Sequence, residues 1–531
     1  MGISEQVETA RTGAVERDAA PWWRVPLVAT AAVVPLYVLW AFWLATGGGD
    51  LAAQLAWAGF MQRNPGSAYN LSWYGGMHTA NYSVLTPPLM AVFGVRAVSV
   101  AAGLAGTWVL ACVFVRRGVP VPVWPALAGA LALWCNIASG RTTFALGVAI
   151  GLLAVLYAGR TAVAAVCAAL AALASPVAGL FLLVAGTAYA LDRQWRKGAA
   201  LVVPPVVVVG TVALMFPFRG EQPMASGKLW LPLLVSAAVA IAAPREWRVV
   251  RYGAGVYGIG VVLTYLIASP IGTNVERLAG LVGPPLLLAA VLAGGLVLLQ
   301  QAVLAAALVV NSYWLADKTE DDLVVSNSVP TWAAHTDGLV RELERLGADR
   351  TRVEVVPARN HREATALAPH INMARGWNRQ LDVERGRLFY DGSLTPATYR
   401  QWLDRWAVGL VVLHHGRPDG PAEAEAAIVR SEPDWLDRVW QDDGWTVYRV
   451  RDAVPLASPP ARVVRSSDAD LVVRMPAAGS VTVRLAYSPW LRAQGACLRR
   501  EGEWTRLTVP RAGEYRLDSA YRPTRSGAGC D

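Results

Sequence analysis

From residue 25 to residue 316 the chain is a succession of apolar runs. About eleven can be counted, near 25–46, 89–115, 121–139, 142–159, 161–175, 177–192, 199–217, 229–243, 252–269, 279–293 and 296–316. A helix needs roughly 17–25 apolar residues to cross the hydrocarbon core of a bilayer, so runs of this kind predict membrane-spanning helices. Several are short, and Pro176 separates two that a single broken helix would also explain. Composition agrees: 54% of residues are hydrophobic and only 16% are charged, against about 25% charge in a soluble domain. The shortage stops near residue 317, beyond which composition is ordinary. The expected fold class is a polytopic α-helical membrane bundle of about 11 spans, then a C-terminal extracytoplasmic α/β domain and a small antiparallel β-domain.

Orientation follows from the positive-inside rule. Residues 1–24 carry charges but no apolar run or cleavage signature, and so read as a cytoplasmic tail. With that end inside, twelve basic residues, among them Arg116, Arg117, Arg193 and Arg248, fall on the cytoplasmic side, and six on the outer side. Eleven spans then place residues 317–531 outside. The cysteines agree: Cys112, Cys135 and Cys167 fall in apolar runs, where cysteine acts as a small hydrophobe. Cys497 and Cys530 are the two in the soluble part. Outside the cell an even pair favours a disulfide, with two separate thiols as the alternative. None of the five has zinc-site spacing. The formal charge of +9 reflects helix flanks rather than a basic stripe with interleaved aromatics, so nucleic acid is not an expected partner.

Residues 317–450 alternate strand and helix patterns, with strands expected at 323–329, 352–357, 410–415 and 445–450 and helices at 335–347, 395–407 and 422–431. Thr395 before Pro396 reads as a helix start. Alternation of this kind indicates an α/β layer. Residues 451–531 turn to short alternating runs such as DLVVRM and SVTVRLAY, separated by AAG, EGE and RAG, which indicates an antiparallel β-domain. His414–His415, with no third ligand in view, reads as solvated rather than metal-binding.

Between the first two runs lies an unusually long loop, 47–89, opening GGGD. Residues 51–63 suit a helix lying in the membrane interface, with Asp50, Gln54, Ala58 and Gln62 on one line facing water. Asp50 would stand at its N-terminus, where capping the first free backbone N–H groups is the simpler role. Further on, Tyr69, Asn70, Trp73, Tyr74, His78, Asn81 and Tyr82 offer aromatic faces and amides that suit a sugar. An interfacial aromatic belt has the same composition.

This layout resembles the GT-C class of membrane glycosyltransferases, which use lipid-phosphate-linked sugars at the outer face. The residues carrying the resemblance are Asp50 just after the first run, the helix at 51–63 and the proline-rich LTPPL at 85–89. The resemblance covers roughly residues 25–316, and the Ala/Arg/Gly-rich composition is similar to that of actinobacterial cell-wall enzymes of the class. It implies a polyprenyl-phosphate sugar as donor, a cell-envelope glycan or glycolipid as acceptor, and Asp50 as the catalytic base of an inverting transfer. Trp73, Tyr74, His78 and Tyr82 would line a substrate pocket. Arg141 and Arg277 would hold the departing phosphate, since guanidinium pairs with phosphate in a fork; pairing with Glu276 or anchoring a helix end is the plainer role for Arg277. The first loop departs from the class in lacking an Asp-Asp, Asp-Glu or Asp-x-Asp pair. No cofactor is therefore expected, a divalent metal stays open, and activity in excess chelator is the check.

Two other classes fit a chain with this hydropathy. A transporter or flippase is one, although its coupled forms keep charges buried in mid-bundle and these runs are almost free of them. A non-catalytic cell-envelope scaffold is the other.

Overall fold

The computed structural model describes residues 21–522; most of the expected cytoplasmic tail, and Cys530 with its expected partnership to Cys497, lie outside them. The apolar runs fold into helices. α1 (Arg24–Leu39) widens into a π-turn at Trp40–Leu44, and α2 (Asp50–Arg63) and α3 (Thr86–Phe93) occupy the long loop. Then come α4 (Val95–Arg116), α5 (Val123–Ala138), α6 (Thr142–Leu156), α7 (Thr161–Ala174) and α8 (Pro176–Leu191). They are followed by α9 (Trp195–Met215), α10 (Trp230–Ala242), α11 (Arg248–Leu266), α12 (Glu276–Val291) and α13 (Leu298–Ser326). Among the described residues five helices are long and apolar enough to cross a membrane: Arg24–Leu44, α4, α9, α11 and α13. Their outer faces keep bare apolar side chains such as Phe42, Leu214, Leu266 and Leu298, which a membrane protein buries in lipid.

Small residues let these helices approach. Gly186 of α8 lies so close to α9 that an added Cβ would stand 2.9 Å from the carbonyl oxygen of Gly198. α4 packs on α5 and α6, and α12 lies between α5 and α13. Residues 175–176 are a true break, because Ser175 is extended and its hydroxyl caps α8.

The last helix of the apolar region departs from expectation. Leu323–Ser326, expected as strand, continues α13 without interruption, across the expected boundary at 316/317. The charged run Asp317–Asp322 brings no change of secondary structure: helix backbone bonds are closed within the segment, so the shift from apolar to charged side chains leaves the helix intact.

Beyond it a four-stranded sheet forms from β3 (Arg352–Val355), β4 (Val408–His414), β5 (Leu436–Gln441) and β6 (Trp445–Val450), following a two-residue pair β1 (Tyr69–Asn70) and β2 (Met77–His78) in the first loop. Its order is β3-β4-β6-β5, with β3 and β4 parallel and the other pairs antiparallel. β5 has no counterpart in the sequence expectation; its burial does not alternate cleanly. The helix at Pro396–Arg405 starts as expected, with the Thr395 hydroxyl accepting from the Thr398 amide at 3.2 Å. Residues 462–519 make two antiparallel sheets, of four and three strands, that close on a common apolar core.

α2 does not face water along its polar line. Gln54 and Ala58 are buried, as are Leu51, Trp57 and Phe60, because the soluble portion sits directly on this helix. Thr365, for one, donates to the Ala52 carbonyl at 3.0 Å.

Candidate functional site

The glycines before Asp50 serve two distinct ends. Gly47 and Gly49 have φ of +98° and +64°, a region open to glycine at no steric cost, and they turn the chain from α1 into α2. Gly48 is there for space: a Cβ on it would stand 3.1 Å from the backbone of Ser326 at the end of α13. Asp50 is then delivered to the first turn of α2. Its carboxylate makes no cap, since Gly49 is the N-cap residue and receives no side-chain bond. It accepts instead from Arg141, Nε to Oδ2 at 3.0 Å.

Arg141 occupies the turn between α5 and α6. The preceding Gly140, at φ +78°, lies against the N-terminus of α2, where a Cβ would come within 2.5 Å of the Leu51 amide nitrogen. That close approach puts the guanidinium beside Asp50. The other end of the same guanidinium reaches α13, with Nη2 2.8 Å from Asp322 Oδ2. Two carboxylates from opposite ends of the helical region thus share one cation. Burial alone would raise the pKa of Asp50; the charges of Arg141 and Arg277 outweigh it and hold the carboxyl below its ordinary range.

Beside this trio lies a cavity of about 180 Å³, lined by Arg141, Lys228, Arg277 and Lys318 and by the single carboxylate of Glu276, with Asn136, Thr273 and Asn274 among the polar neighbours. Among the described residues Arg277 has no ion-pair partner; its guanidinium lies 5.3 Å from the centre of the Phe144 ring. Glu276, its expected partner, is buried. Asn136 Nδ2 is buried without an acceptor. Four cations and an orphaned N–H around one small space make a site for an anion with several oxygens. A second, larger cavity of about 600 Å³ runs between α4, α6, α8, α10, α11 and α12 with mostly apolar walls, and Leu281 belongs to the walls of both.

The aromatic loop goes elsewhere. Trp73 and Tyr74 are 1% and 0% exposed and pack into the core that joins α2 to the α/β domain. The Tyr74 hydroxyl donates to the Gly376 carbonyl at 2.9 Å and accepts the Asn378 amide at 3.0 Å. His78 is buried, with Nε2 2.8 Å from Ser488 Oγ in the β-domain. Burial first, and the nearby Arg385 charge, bring its pKa down to about 4. The expectation that these three line an open pocket is corrected: they are buried and fasten the C-terminal portion to the loop. Tyr82 is not among the residues lining the cavity but lies near enough to feel the Asp50 charge. It stacks on Trp57, accepts from Gln54 Nε2 at 2.5 Å, and is held above the usual phenol range by burial and then the Asp50 charge.

Sequence reasoning missed Asp322, Lys228 and Lys318. It also left residues 359–382 without a role. That stretch supplies Asn360, Arg362 and Trp377, which grip the backbone around Asp50, and Arg375, buried between Glu354 and Glu425. His414 is sealed between Trp332 and Trp445, and His415 bonds to Asp443 and Thr446. Among the described residues no three His, Cys, Asp or Glu side chains gather as a metal site.

A family described only as a domain of unknown function, DUF8823, matches residues 458–497, within the β-domain. No curated protein sequence matches the chain. Two solved structures of arabinofuranosyltransferase AftD from Mycobacteria are similar to it. One is 15% identical with a TM-score of 0.42, over 86% of this chain and 41% of that one. The other, of a mutant form, is 12% identical with a TM-score of 0.44, over 94% and 60%. The chain thus spans less than two thirds of either.

Proposed function

We propose that this protein is a membrane glycosyltransferase that moves a sugar from a polyprenyl-phosphate donor to a cell-envelope glycan or glycolipid at the outer face, with Asp50 as base. The observation that carries the reading is the small cation-lined cavity beside a carboxylate held in place by Arg141. The α5–α6 turn, the start of α12, the end of α13 and the loop before α10 all meet there, at the same end of the bundle as α2 and the soluble portion. On the expected count of eleven spans with the N-terminus inside, that end faces outside the cell.

The parts fit the reaction. A donor phosphate in the cavity meets Arg141, Arg277, Lys228 and Lys318, and the apolar cavity that adjoins it at Leu281 suits the prenyl chain. The acceptor oxygen attacks the anomeric carbon, the bond from that carbon to the phosphate oxygen breaks, and the lipid phosphate leaves with the electron pair. The acceptor proton passes to Asp50. Preorganised cations stabilise the charge that develops on the leaving oxygen, and a positioned carboxylate serves as general base. Phosphate binding also competes for Arg141. As that cation turns to the phosphate, Asp50 loses the partner that depresses its pKa and becomes a stronger base when donor is bound. Attack opposite the leaving group inverts the anomeric centre.

Transfer of labelled sugar from membrane polyprenyl-phosphate donors tests this directly. Asp50→Asn keeps the side-chain size and removes the base, so transfer falls by about 10²–10⁴-fold while donor binding persists. Equal transfer by both forms overturns the role of Asp50. Absence of transfer by the wild type, together with uptake of a sugar into proteoliposomes, favours transport.

A further inference from the structure

Arg362 belongs to the soluble portion, yet its guanidinium is spent on the membrane helices. Nη1 donates to the Thr46 carbonyl at 2.6 Å. Nη2 donates to Thr46 Oγ1 at 2.7 Å, to the Ser326 carbonyl at 2.8 Å and to the Ser328 carbonyl at 2.9 Å. Thr46 and Ser326 are themselves joined, hydroxyl to carbonyl, at 2.5 Å. Thr46 follows the end of α1 and precedes Asp50 by one helical turn's worth of chain. Ser326 ends α13 one turn after Asp322, whose carbonyl accepts from the Ser326 hydroxyl at 2.7 Å.

Arg362 therefore ties together the two backbones that carry the two carboxylates, while Arg141 ties together the carboxylates. Neighbours on the same segment reinforce the hold: the Gly49 amide donates to the Asn360 carbonyl at 2.8 Å, and the Trp377 indole N–H donates to the Gly49 carbonyl at 3.0 Å. The Trp377 indole is backed by the His361 ring at 3.5 Å. No carboxylate pairs with Arg362 among the described residues, and its side chain is buried save for a small fraction. Its contribution is thus the shape of the fork. Guanidinium presents several N–H groups in one plane; a lysine ammonium is a single point with three.

We infer that Arg362 is a positioning residue that sets the distance between Asp50 and Arg141, so that the soluble portion is a structural part of the site rather than an appended module. Its effect on rate rests on the glycosyl-transfer reading; its hold on the backbone does not. Freed of Arg362, the glycine turn at 47–49 relaxes, and misplacement of a reacting group by about 1 Å costs up to about 10²-fold in rate.

The test uses the full chain in detergent, comparing wild type with Arg362→Lys, Arg362→Gln and Thr46→Val. Hydrogen exchange followed by mass spectrometry reads the amides of residues 46–52 and 323–328. Those of Arg362→Gln exchange at least about tenfold faster than in wild type, while residues 462–519 are unchanged. In the transfer assay kcat falls about 10–100-fold, KM for the donor stays within about threefold, and the acid limb of the pH–rate profile moves up toward ordinary carboxylate values. Arg362→Lys recovers part of each effect. Thr46→Val, which removes a single hydroxyl, shows smaller changes of the same sign and serves if Arg362→Gln fails to fold. Unchanged exchange at both segments overturns the hold, and unchanged kcat with faster exchange overturns the positioning role. A wild type that transfers no sugar overturns the reaction, and the exchange result still decides the hold.

Discussion

Arg141 lies between Asp50 and Asp322, with Nε 3.0 Å from one carboxylate and Nη2 2.8 Å from the other. These residues come from the first long loop and the last helix of the apolar region. One cation thereby joins the two ends of the helical region and offsets the repulsion between two like charges. The side chains are partly open, 34% exposed for Asp50 and 15% for Arg141, which leaves the pair accessible to an incoming anion.

Arg141→Gln removes the shared partner and leaves two carboxylates facing each other. Transfer falls by at least about 10²-fold, the scale of losing a positioned charge stabiliser. Asp50 returns toward or above its ordinary pKa, since like charges close together disfavour the ionised form. The pH dependence of kcat/KM, which reports the free enzyme, therefore gains an acid limb that the wild type lacks above about pH 4. A pH–rate profile of residual activity checks it. Asp322→Asn, which keeps Arg141 on Asp50, has the milder effect, about tenfold or less.

Arg277 has no carboxylate partner among the described residues and faces the anion cavity. Arg277→Gln raises KM for the donor about 10–100-fold, with kcat less affected, in line with loss of a charge-assisted bond to phosphate. Raising ionic strength weakens donor binding in the wild type more than in the variant, since fewer charges remain to be screened. Initial rates over a series of donor and salt concentrations distinguish this from a collapsed site, which lowers kcat at every salt.

In the proposed reaction the four side-chain cations around the cavity counter the charge on the leaving phosphate without a metal. Transfer persists in excess chelator. Abolition by chelator with recovery on adding a divalent cation assigns part of that role to a metal.

Much of the helical region is legible in sequence because one physical demand, about twenty apolar residues per crossing, writes itself plainly into composition. Asp50 is legible for a related reason: it is the lone acid after a glycine turn at the end of the first run. Asp322 and Lys318 are not. They stand in a charged stretch, Asp317–Asp322, that looks like the start of a soluble domain, and only the unbroken course of α13 brings them to the site. The aromatics at 73, 74 and 78 misled in the opposite direction. Their types suit both a sugar and a domain junction, and their partners, Gly376, Asn378 and Ser488, lie some hundreds of residues away in the chain.

Trp73 and Tyr74 should accordingly affect stability and not chemistry. Trp73→Ala empties a buried ring site and costs about 3–5 kcal/mol. Tyr74→Phe leaves the Asn378 amide and the Gly376 carbonyl without their partner and costs about 1–3 kcal/mol. Thermal unfolding in detergent reads both. Transfer per folded molecule stays within about twofold of wild type, and a large loss of kcat in well-folded Tyr74→Phe would restore it to the site.

His78 and His414 make the stability of the soluble portion depend on pH. Burial brings each to about 4, against about 6.5 in an unfolded chain. A histidine whose folded pKa is depressed is neutral in the native state, while the unfolded state takes up a proton more readily. Stability is thus full above about pH 6.5, falls as pH drops from there, and levels off below about pH 4. Each contributes a loss of about 2 kcal/mol by pH 5. His78→Gln keeps a polar side chain for Ser488 and removes one of the two titrating groups. Its thermal midpoint falls less than that of the wild type between pH 7.5 and pH 5, even though its midpoint at pH 7.5 is lower. Midpoints that fall in parallel across that interval place the proton uptake on other groups, and the comparison is made on the intact chain, because His78 is buried only while the first loop and the β-domain are joined.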